Sequence, residues 1–452
     1  MSTANEAVVP GPESGRRLRG LRGRVDRFLS QQNGFFRQVL MLSSGTLASQ
    51  LILLISGIGL ARIYDPNQFG SLSIFISVLT LMSVMAAWRY EAAIPLPAKV
   101  EEAAELLALS LLVLGAMTAS SIAIVWAWGT RIIAFLPQGE LLETCLWLVP
   151  LGLLSTGLHR ICGSWMVREG NFRGIAGNSI VQTLLQVTSQ IGFGVFSGTT
   201  LGLISGDVLG RTGGACTLWR RCWHSCREPL RSVHPQNLPT IARRYWRFPF
   251  ISSWAALVNA ACNYLPHILI ALYFGLGVAG LFALAQRVIT MPCTLLGHSV
   301  AKVYLRECAR LRHERKDLKQ LFWRTVLSQS LTACLVIMLL VAPAPWYFGW
   351  VFGNEWAEAG WYAWPLAAVL FIRLIALPLG TTLDVFERQD LHLLRESIRA
   401  AAVVTAILLS AALRTSPFVA IGLFSIAACL ANGVGIFVVW NLIRKDEGLV
   451  QS

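Results

Sequence analysis

The chain has 452 residues, of which 55% are hydrophobic and only 14% are charged. Soluble domains carry about 25% charged residues, so this composition excludes an ordinary water-soluble fold. The formal net charge of +14 does not indicate a nucleic-acid-binding domain, because the basic residues lie in short segments between apolar blocks. Those blocks are long enough to cross a bilayer core of ~30 Å as helices, and the alternating pattern of barrel strands is absent. The sequence therefore predicts an all-α polytopic membrane protein.

An Arg-rich arm over residues 1–36 opens the chain and is predicted to be a disordered cytoplasmic segment. The apolar block after it is too long for a signal-peptide core and lacks a convincing cleavage site, so we expect an uncleaved first helix. Hydropathy predicts about twelve transmembrane helices in all. Their spans are 39–61, 68–88, 104–127, 143–166, 174–196, 200–219, 249–272, 278–302, 321–342, 360–386, 396–413 and 417–442.

The basic residues are distributed unequally between the two sides of this predicted arrangement. Thirty of the 38 Lys and Arg residues fall in segments on one side, whereas the loops of the other side hold only Arg62, Arg131 and Arg414. Lys and Arg accumulate in cytoplasmic loops. The pattern therefore predicts that both termini are cytoplasmic and that the chain crosses a bacterial inner membrane several times.

A basic linker at 221–248 divides the predicted helices into an N-terminal bundle (37–220) and a C-terminal bundle (249–443), with a cytoplasmic tail at 444–452. Six crossings return the chain to its starting side, so two such bundles would be parallel repeats. A weak internal sequence repeat supports duplication. Two predicted helices are joined in each half by an aromatic-rich turn followed by a glycine, in the segments "LARIYDPNQFGSLSIF" and "LIALYFGLGVAGLFALA". The alternative is that short turns between helices simply look alike.

Four segments give the chain a resemblance to a known family. They are "GTLASQLILLISGIGLARIYDPNQFGSLSIFISVLTLMSVMAAWRYEAAIPLP" (45–97), "FGLGVAGLFALAQRVITMPCTLLGHSVAKVY" (274–304), "VFGNEWAEAGWYA" (351–363) and "RQDLHLL" (388–394). In these segments the chain resembles the polysaccharide transporter (oligosaccharide flippase) family, within the multidrug/oligosaccharidyl-lipid/polysaccharide exporter superfamily. The long basic arm and the Cys/Trp-rich middle loop depart from the family pattern.

The resemblance implies two six-helix bundles around a central cavity that opens alternately to each face. It implies a polyprenyl-diphosphate-linked oligosaccharide as cargo, destined for O-antigen, capsule or exopolysaccharide, with membrane lipids and polysaccharide polymerase or assembly proteins as partners. Coupling to H⁺ or Na⁺ is an open alternative. The sequence contains no phosphate-binding loop for ATP, so we predict no cofactor and no enzymatic activity.

Arginine is the residue type best suited to a diphosphate, because its planar guanidinium donates paired hydrogen bonds and stays charged when partly desolvated. The arginines inside predicted spans include Arg160, Arg211, Arg287, Arg324 and Arg373. Arg287 and Arg373 lie near mid-span, where a charge normally faces the bundle interior, so we predict that both line the cavity. His298 shares a helical face with Arg287 and is a further candidate. Arg160, nearer a helix end, is predicted either to line the cavity or to extend toward the interface, whereas Arg324 is expected to extend toward the interface.

Amide side chains follow one face of the fifth predicted helix. Asn178, Gln182, Gln186 and Gln190 are spaced four residues apart. They are predicted to bind sugar hydroxyls in the cavity, with hydrogen bonding between helices as the alternative. A glycine stripe with the same spacing, from Gly198 to Gly214, is predicted to allow close helix packing.

Asp207, Asp384 and Glu91 are the candidate ion-coupling residues. Asp207 and Arg211 are spaced i, i+4, so a self-neutralising pair is the alternative for that site. Glu91 follows Arg89 at a helix end, where helix capping is the alternative. A zinc site at Cys222 and Cys226 lacks a second ordered ligand pair, and no metal site is predicted.

Two other functions compete with the flippase. A cationic-drug antiporter of the same superfamily would need an acidic cavity, whereas arginines outnumber aspartates within the predicted spans. A membrane polymerase or ligase of polysaccharide assembly would be expected to carry a large outer loop or an acidic metal motif. The predicted outer stretches at 128–142 and 343–359 are short and show neither.

Overall fold

The computed structural model describes residues 45–134, 145–314 and 317–451, which are helical with no strand among them. The predicted arm at 1–36 lies outside the described residues. The numbered helices are α1 Gly45–Ile63, α2 Pro66–Val84, α3 Val100–Ala134, α4 Leu148–Arg168, α5 Phe172–Phe196, α6 Thr200–Arg231, α7 Leu238–Arg244, α8 Ser253–Phe274, α9 Leu276–Pro292, α10 His298–His313, α11 Leu318–Val336, α12 Ala344–Phe352, α13 Ala357–Gly380, α14 Thr382–Val385, α15 Gln389–Ala412 and α16 Pro417–Gln451. A π-helical turn, Cys293–Gly297, joins α9 to α10, and a second, Ile337–Val341, extends α11.

Eight of the described helical segments are long and apolar enough to cross a membrane. They are Gly45–Ile63, Pro66–Val84, Val100–Arg131, Phe248–Phe274, Leu276–His313, Leu318–Val341, Asn354–Val385 and Pro417–Asp446. The predicted spans at 143–166, 174–196, 200–219 and 396–413 also coincide with long helices (α4, α5, α6 and α15), but these contain more polar residues. A multi-pass helical membrane protein is confirmed, and the count of twelve spans stays a prediction.

The predicted linker at 221–248 is largely helical. Helix α6 continues to Arg231, twelve residues past the predicted end of its span at 219, and the short helix α7 follows. The extension is anchored because Cys222 and Cys226 on its inner face are fully buried. The chain between the two halves is therefore an ordered surface element along most of its length.

The start of α2 is fixed by its sequence. The Asp65 side chain accepts a hydrogen bond from the backbone N–H of Gln68 at 3.0 Å, and the Gln68 side chain accepts one from the backbone N–H of Asp65 at 3.0 Å. This reciprocal capping satisfies two N–H groups at the helix end, and Pro66 suits the first helical position because it has no N–H to satisfy. The short turn between α1 and α2 is thereby held in one geometry.

Helices α2, α8 and α9 form most of the contact between the two halves of the chain. In the first half, α6 packs against α5 and α4, and in the second half α13 packs against α9, α11, α12 and α16. Helix α8 contacts both α2 and α15, so its polar residues can face spaces on either side of it.

Candidate functional site

Three neighbouring cavities lie along α8 and share Asn259 and Asn263 in their walls. The central cavity, of ≈ 570 Å³, lies between α2 of the first half and α8, α9 and α13 of the second. Its polar lining consists of Ser73, Ser77, Asn259, Asn263, Tyr264, His267, Gln286, Arg287, Thr290 and Arg373. A polar chamber between the halves is the feature that a carrier of a hydrophilic headgroup needs.

Arg287 and Arg373, the two arginines predicted near mid-span, both line the central cavity. Arg287 Nη2 donates a hydrogen bond to the carbonyl oxygen of Leu53 on α1 at 2.5 Å. Arg287 can come close to α1 because the residue that faces it there is Gly57. A Cβ added at Gly57 would lie 3.9 Å from Arg287 Cζ. Arg287 therefore joins the two halves while its guanidinium remains at the cavity wall.

The polar residues of α8 were missed by the sequence analysis. Asn259, Asn263 and His267 are spaced four residues apart, so they share one helical face, and that face lines the central cavity. The same spacing drew attention to the amides of α5, so the signal was present in the sequence. It was obscured by the strongly apolar remainder of α8.

The second cavity, of ≈ 660 Å³, lies between α8 and the predicted cytoplasmic ends of α2 and α4, and we call it the N-side cavity. It is lined by Arg89, Glu91, His159, Arg160 and Tyr264, among others. Arg160 donates to the carbonyl oxygen of Ser83 at 3.0 Å, which holds it on this wall.

Glu91 is 6% exposed, and its Oε2 atom has no hydrogen-bond partner. Burial raises the pKa of Glu91, while the positive charges of Arg160 and Arg89 act in the opposite direction. The preceding residues Trp88 and Arg89 have φ values of 49° and 60°, which are left-handed and costly for side chains of this size. The fold maintains this strained turn beside a buried carboxyl group.

The third cavity, of ≈ 280 Å³, is formed entirely by the second half, and we call it the C-side cavity. It contains two candidates, His298 and Asp384, together with Arg373, which it shares with the central cavity. His298 therefore faces a different chamber from Arg287, from which it is separated by about 16 Å along the chain and by the π-helical turn at Cys293–Gly297.

The amide run of α5 is placed against α6 and lines none of the three cavities. Gln190 Nε2 donates to the carbonyl oxygen of Leu203 at 3.2 Å, and Asn178 accepts a hydrogen bond from the Thr217 hydroxyl. Gln182 packs against Gly214, where an added Cβ would lie 2.7 Å from Gln182 Cβ. This placement differs from the predicted cavity wall, because the glycine stripe of α6 draws α5 close and its amide face becomes the helix contact.

Asp207 is fully buried in the same helix contact. It accepts hydrogen bonds from Arg211 Nε at 2.6 Å and from Gln186 Nε2 at 2.8 Å. It lines none of the three cavities, so the structure favours the self-neutralising pair over an ion-coupling site. Within the described ranges, no group of three or more His, Cys, Asp or Glu residues is arranged to hold a metal ion.

Comparison with solved structures shows which fold this arrangement shares. The inward-facing conformation of a multidrug resistance MATE family transporter of the MOP superfamily matches with a TM-score of 0.71 and 14% identity, over 88% of this chain and 96% of that chain. The lipid II flippase MurJ in an inward closed conformation matches with a TM-score of 0.68 and 12% identity, over 90% of each chain. At these identities the likeness is one of fold alone.

Sequence comparison gives a narrower relationship. The succinoglycan biosynthesis transport protein ExoT of Rhizobium meliloti (strain 1021) is 24% identical over 328 residues, which are 69% of this chain and span 60% of the length of that protein. A family model described as polysaccharide biosynthesis protein matches residues 59–360, which is more than half of the chain. The match includes α2, α8 and α9, whose side chains line the central cavity. The chain belongs to this polysaccharide biosynthesis protein family.

Proposed function

We propose that the chain is a flippase that moves polyprenyl-diphosphate-linked oligosaccharide repeat units across the inner membrane, for surface polysaccharide synthesis. The observation that carries the proposal is the central cavity, in which Arg287 and Arg373 accompany a polar face of α8 between the two halves. The family match and the similarity to a succinoglycan transport protein support this class of cargo.

The chemistry of such a cargo matches the lining of the cavity. Moving its sugars or its diphosphate into hydrocarbon without hydrogen-bond partners costs several kcal/mol of free energy for each group. Its prenyl tail is apolar and is soluble there. Arg287 and Arg373 supply charge-assisted donors for the diphosphate, and Asn259 and Asn263 supply amides for sugar hydroxyls. The cargo would thus travel with its headgroup in the cavity and its tail in the bilayer.

The contacts between the halves support an inward-facing state. At the predicted outer side, Arg62 Nη2 donates to the carbonyl oxygen of Trp350 at 2.6 Å, and Trp356 Nε1 donates to that of Ala61 at 2.8 Å. The Trp356 ring also packs edge-on against Phe69, with centroids 4.9 Å apart. These contacts would close the outer side, and alternating access would require them to separate.

The second candidate function is export of a small molecule or drug, which the likeness to MATE transporters suggests. The charge of the central cavity favours an anionic cargo, because its lining contains two arginines and no carboxylate. A cationic drug would be repelled by this wall.

We further propose that both termini are cytoplasmic and that polysaccharide polymerase or assembly proteins receive the cargo. For coupling to H⁺ or Na⁺, Glu91 and Asp384 remain the candidates, since each lines a cavity. Asp207 is occupied by its ion pair with Arg211.

Reconstitution tests the proposal directly. The full-length protein is placed in liposomes with a fluorescent prenyl-diphosphate-linked oligosaccharide, and an impermeant quencher reports the fraction remaining on the outer leaflet. We expect the quenchable fraction to change several-fold faster than in protein-free liposomes. A rate equal to that of the protein-free liposomes, with monodisperse protein present, would overturn the proposal. Export of a cationic dye by the same vesicles would favour the second candidate.

A further inference from the structure

The C-side cavity contains three charged residues that no step above requires, Arg395, Glu396 and Arg399. Its wall is formed by α8, α10, α13, α14, α15 and α16, so it belongs wholly to the second half of the chain. At ≈ 280 Å³ it has room for several water molecules. It adjoins the central cavity through Arg373, Asn259 and Asn263, which line both.

Glu396 fixes two arginines in this cavity. Arg395 donates to its Oε1 atom from Nε at 3.2 Å and from Nη2 at 2.8 Å, and Arg399 Nη2 donates to its Oε2 atom at 2.5 Å. Asn259 Nδ2 adds a fourth hydrogen bond at 3.3 Å. The carboxylate has about four acceptor positions, so its capacity is filled and it serves to hold the arginines.

The backbone leaves a slot for Arg395. A Cβ added at Gly380 on α13 would lie 2.8 Å from Arg395 Nη1, and one added at Gly435 on α16 would lie 2.5 Å from Arg395 Cδ. Each of these two helices thus has a glycine where the side chain passes. The position of this guanidinium is determined by the packing of three helices, so it is preorganised for a ligand.

Arginines outnumber carboxylates in the cavity. Arg373, Arg395 and Arg399 bring three positive charges, against the two carboxylates of Glu396 and Asp384. The Nε atom of Arg399 is buried without a hydrogen-bond partner. The ligand class that matches this excess of positive charge and this buried donor is an anion with several acceptor oxygens.

We propose that the C-side cavity is an anion site that binds a phosphate group of the diphosphate class through Arg395, Arg399 and Arg373. Because Arg373 lines both cavities, we assign the ligand to the diphosphate of the cargo, at a position it occupies before or after its contact with Arg287; that assignment rests on the proposed function. An anionic phospholipid headgroup presents the same chemistry and is the other source.

The first test measures binding of inorganic pyrophosphate to the full-length protein in phosphatidylcholine nanodiscs. We expect saturable binding that weakens at least tenfold in the triple variant Arg395→Gln/Glu396→Gln/Arg399→Gln, which removes both guanidinium groups together with the carboxylate that pairs with them. Arg324→Gln, which removes an exposed arginine of α11 outside the three cavities, is the matched control and should bind as the wild type. Absence of binding by the wild type, or equal binding by the triple variant, would overturn the site.

A second readout needs no variant. Pyrophosphate should lower the rate at which phenylglyoxal modifies Arg395 and Arg399 in the wild-type protein, relative to Arg324, as followed by mass spectrometry. Equal modification rates with and without pyrophosphate contradict the proposal even if the triple variant does not fold.

Competition distinguishes the two sources. Displacement of pyrophosphate by farnesyl diphosphate but not by short-chain phosphatidylglycerol supports the cargo, and displacement by phosphatidylglycerol alone supports the lipid headgroup while retaining the anion site. The liposome assay separates this inference from the proposed function. If the protein flips the lipid but does not bind pyrophosphate, only the proposed anion site is contradicted. If it binds pyrophosphate but does not flip the lipid, only the proposed function is contradicted.

Discussion

Gly70 on α2 and Gly280 on α9 make reciprocal contacts across the two halves of the chain. A Cβ added at Gly70 would lie 1.9 Å from the carbonyl oxygen of Leu276, and one added at Gly280 would lie 1.8 Å from that of Pro66. Each glycine thus meets the residue four positions before the other glycine. This is the pattern of a two-fold related contact, in which residue i meets j and j meets i. It supports the parallel repeats predicted from the internal sequence repeat, while the division into two bundles stays a prediction.

Filling this crossing should separate the helices. In Gly70→Ala or Gly280→Ala, the new methyl group would overlap a backbone carbonyl that cannot rotate away, and overpacking of this kind costs about 1–3 kcal/mol. We expect a lower thermal unfolding midpoint in detergent for each variant. Gly115→Ala on α3 is the control, because no atom lies within 4 Å of its added Cβ. Midpoints equal to that of the control would show that the close crossing does not contribute to stability.

The central-cavity arginines should be required for transport. We expect Arg287→Ala and Arg373→Ala to abolish complementation of a flippase-deficient strain, with normal amounts of protein in the membrane. Lysine at either position should restore activity only in part, because it lacks the planar fork that donates paired hydrogen bonds. A tenfold loss of rate corresponds to about 1.4 kcal/mol. Arg324→Ala is the control, and full activity of both cavity variants would remove these residues from the mechanism.

The amides of α5 should contribute to stability rather than to cargo recognition. Gln190→Leu loses the hydrogen bond to Leu203 inside the contact with α6, and such bonds within membranes are worth ~0.5–2 kcal/mol. We expect a lower unfolding midpoint and an unchanged flipping rate per folded molecule. Thr188→Ala, at an exposed position on the same helix, should change neither. A loss of flipping at unchanged stability would instead support the predicted cavity role.

The pair of Asp207 and Arg211 should behave as a structural unit. Asp207→Asn leaves the partner guanidinium without its carboxylate, and breaking a buried pair from one side costs about 3–5 kcal/mol. We expect the double variant Asp207→Asn/Arg211→Gln to recover much of that stability, measured by thermal unfolding in detergent. A stable Asp207→Asn protein with an altered pH dependence of transport would return Asp207 to the ion-coupling candidates.

Glu91 should make stability depend on pH. Burial raises the pKa of this carboxyl group, so the folded protein holds the proton more tightly than the unfolded chain does. The resulting stabilisation is complete below the ordinary pKa of ~4.3 and is lost as the pH rises through the raised value. We expect the unfolding midpoint to fall across that window in the wild type and to vary less in Glu91→Gln. Glu101→Gln, which removes an exposed carboxyl group nearby, should keep the wild-type profile.

Several features were predictable because they depend on composition along one helix. Long apolar blocks and the uneven distribution of Lys and Arg predicted a polytopic helical protein. Mid-span charges such as Arg287 and Arg373 are costly against lipid, so their location beside a cavity could also be anticipated. The motifs around Tyr64 to Gly70 carried the family resemblance that the family match bears out.

The partners of each helix face were decided only by the tertiary structure. Four-residue spacing places Asn178 to Gln190 on one face of α5 and Asn259 to His267 on one face of α8, but it does not say what each face meets. In a bilayer both lipid and neighbouring helices are apolar, so hydropathy carries little information about helix rotation. The glycines of α6 determine which face of α5 is buried, because they allow α5 to pack closely against α6. The amides of α5 were thereby buried in a helix contact, and those of α8 were left facing the cavities.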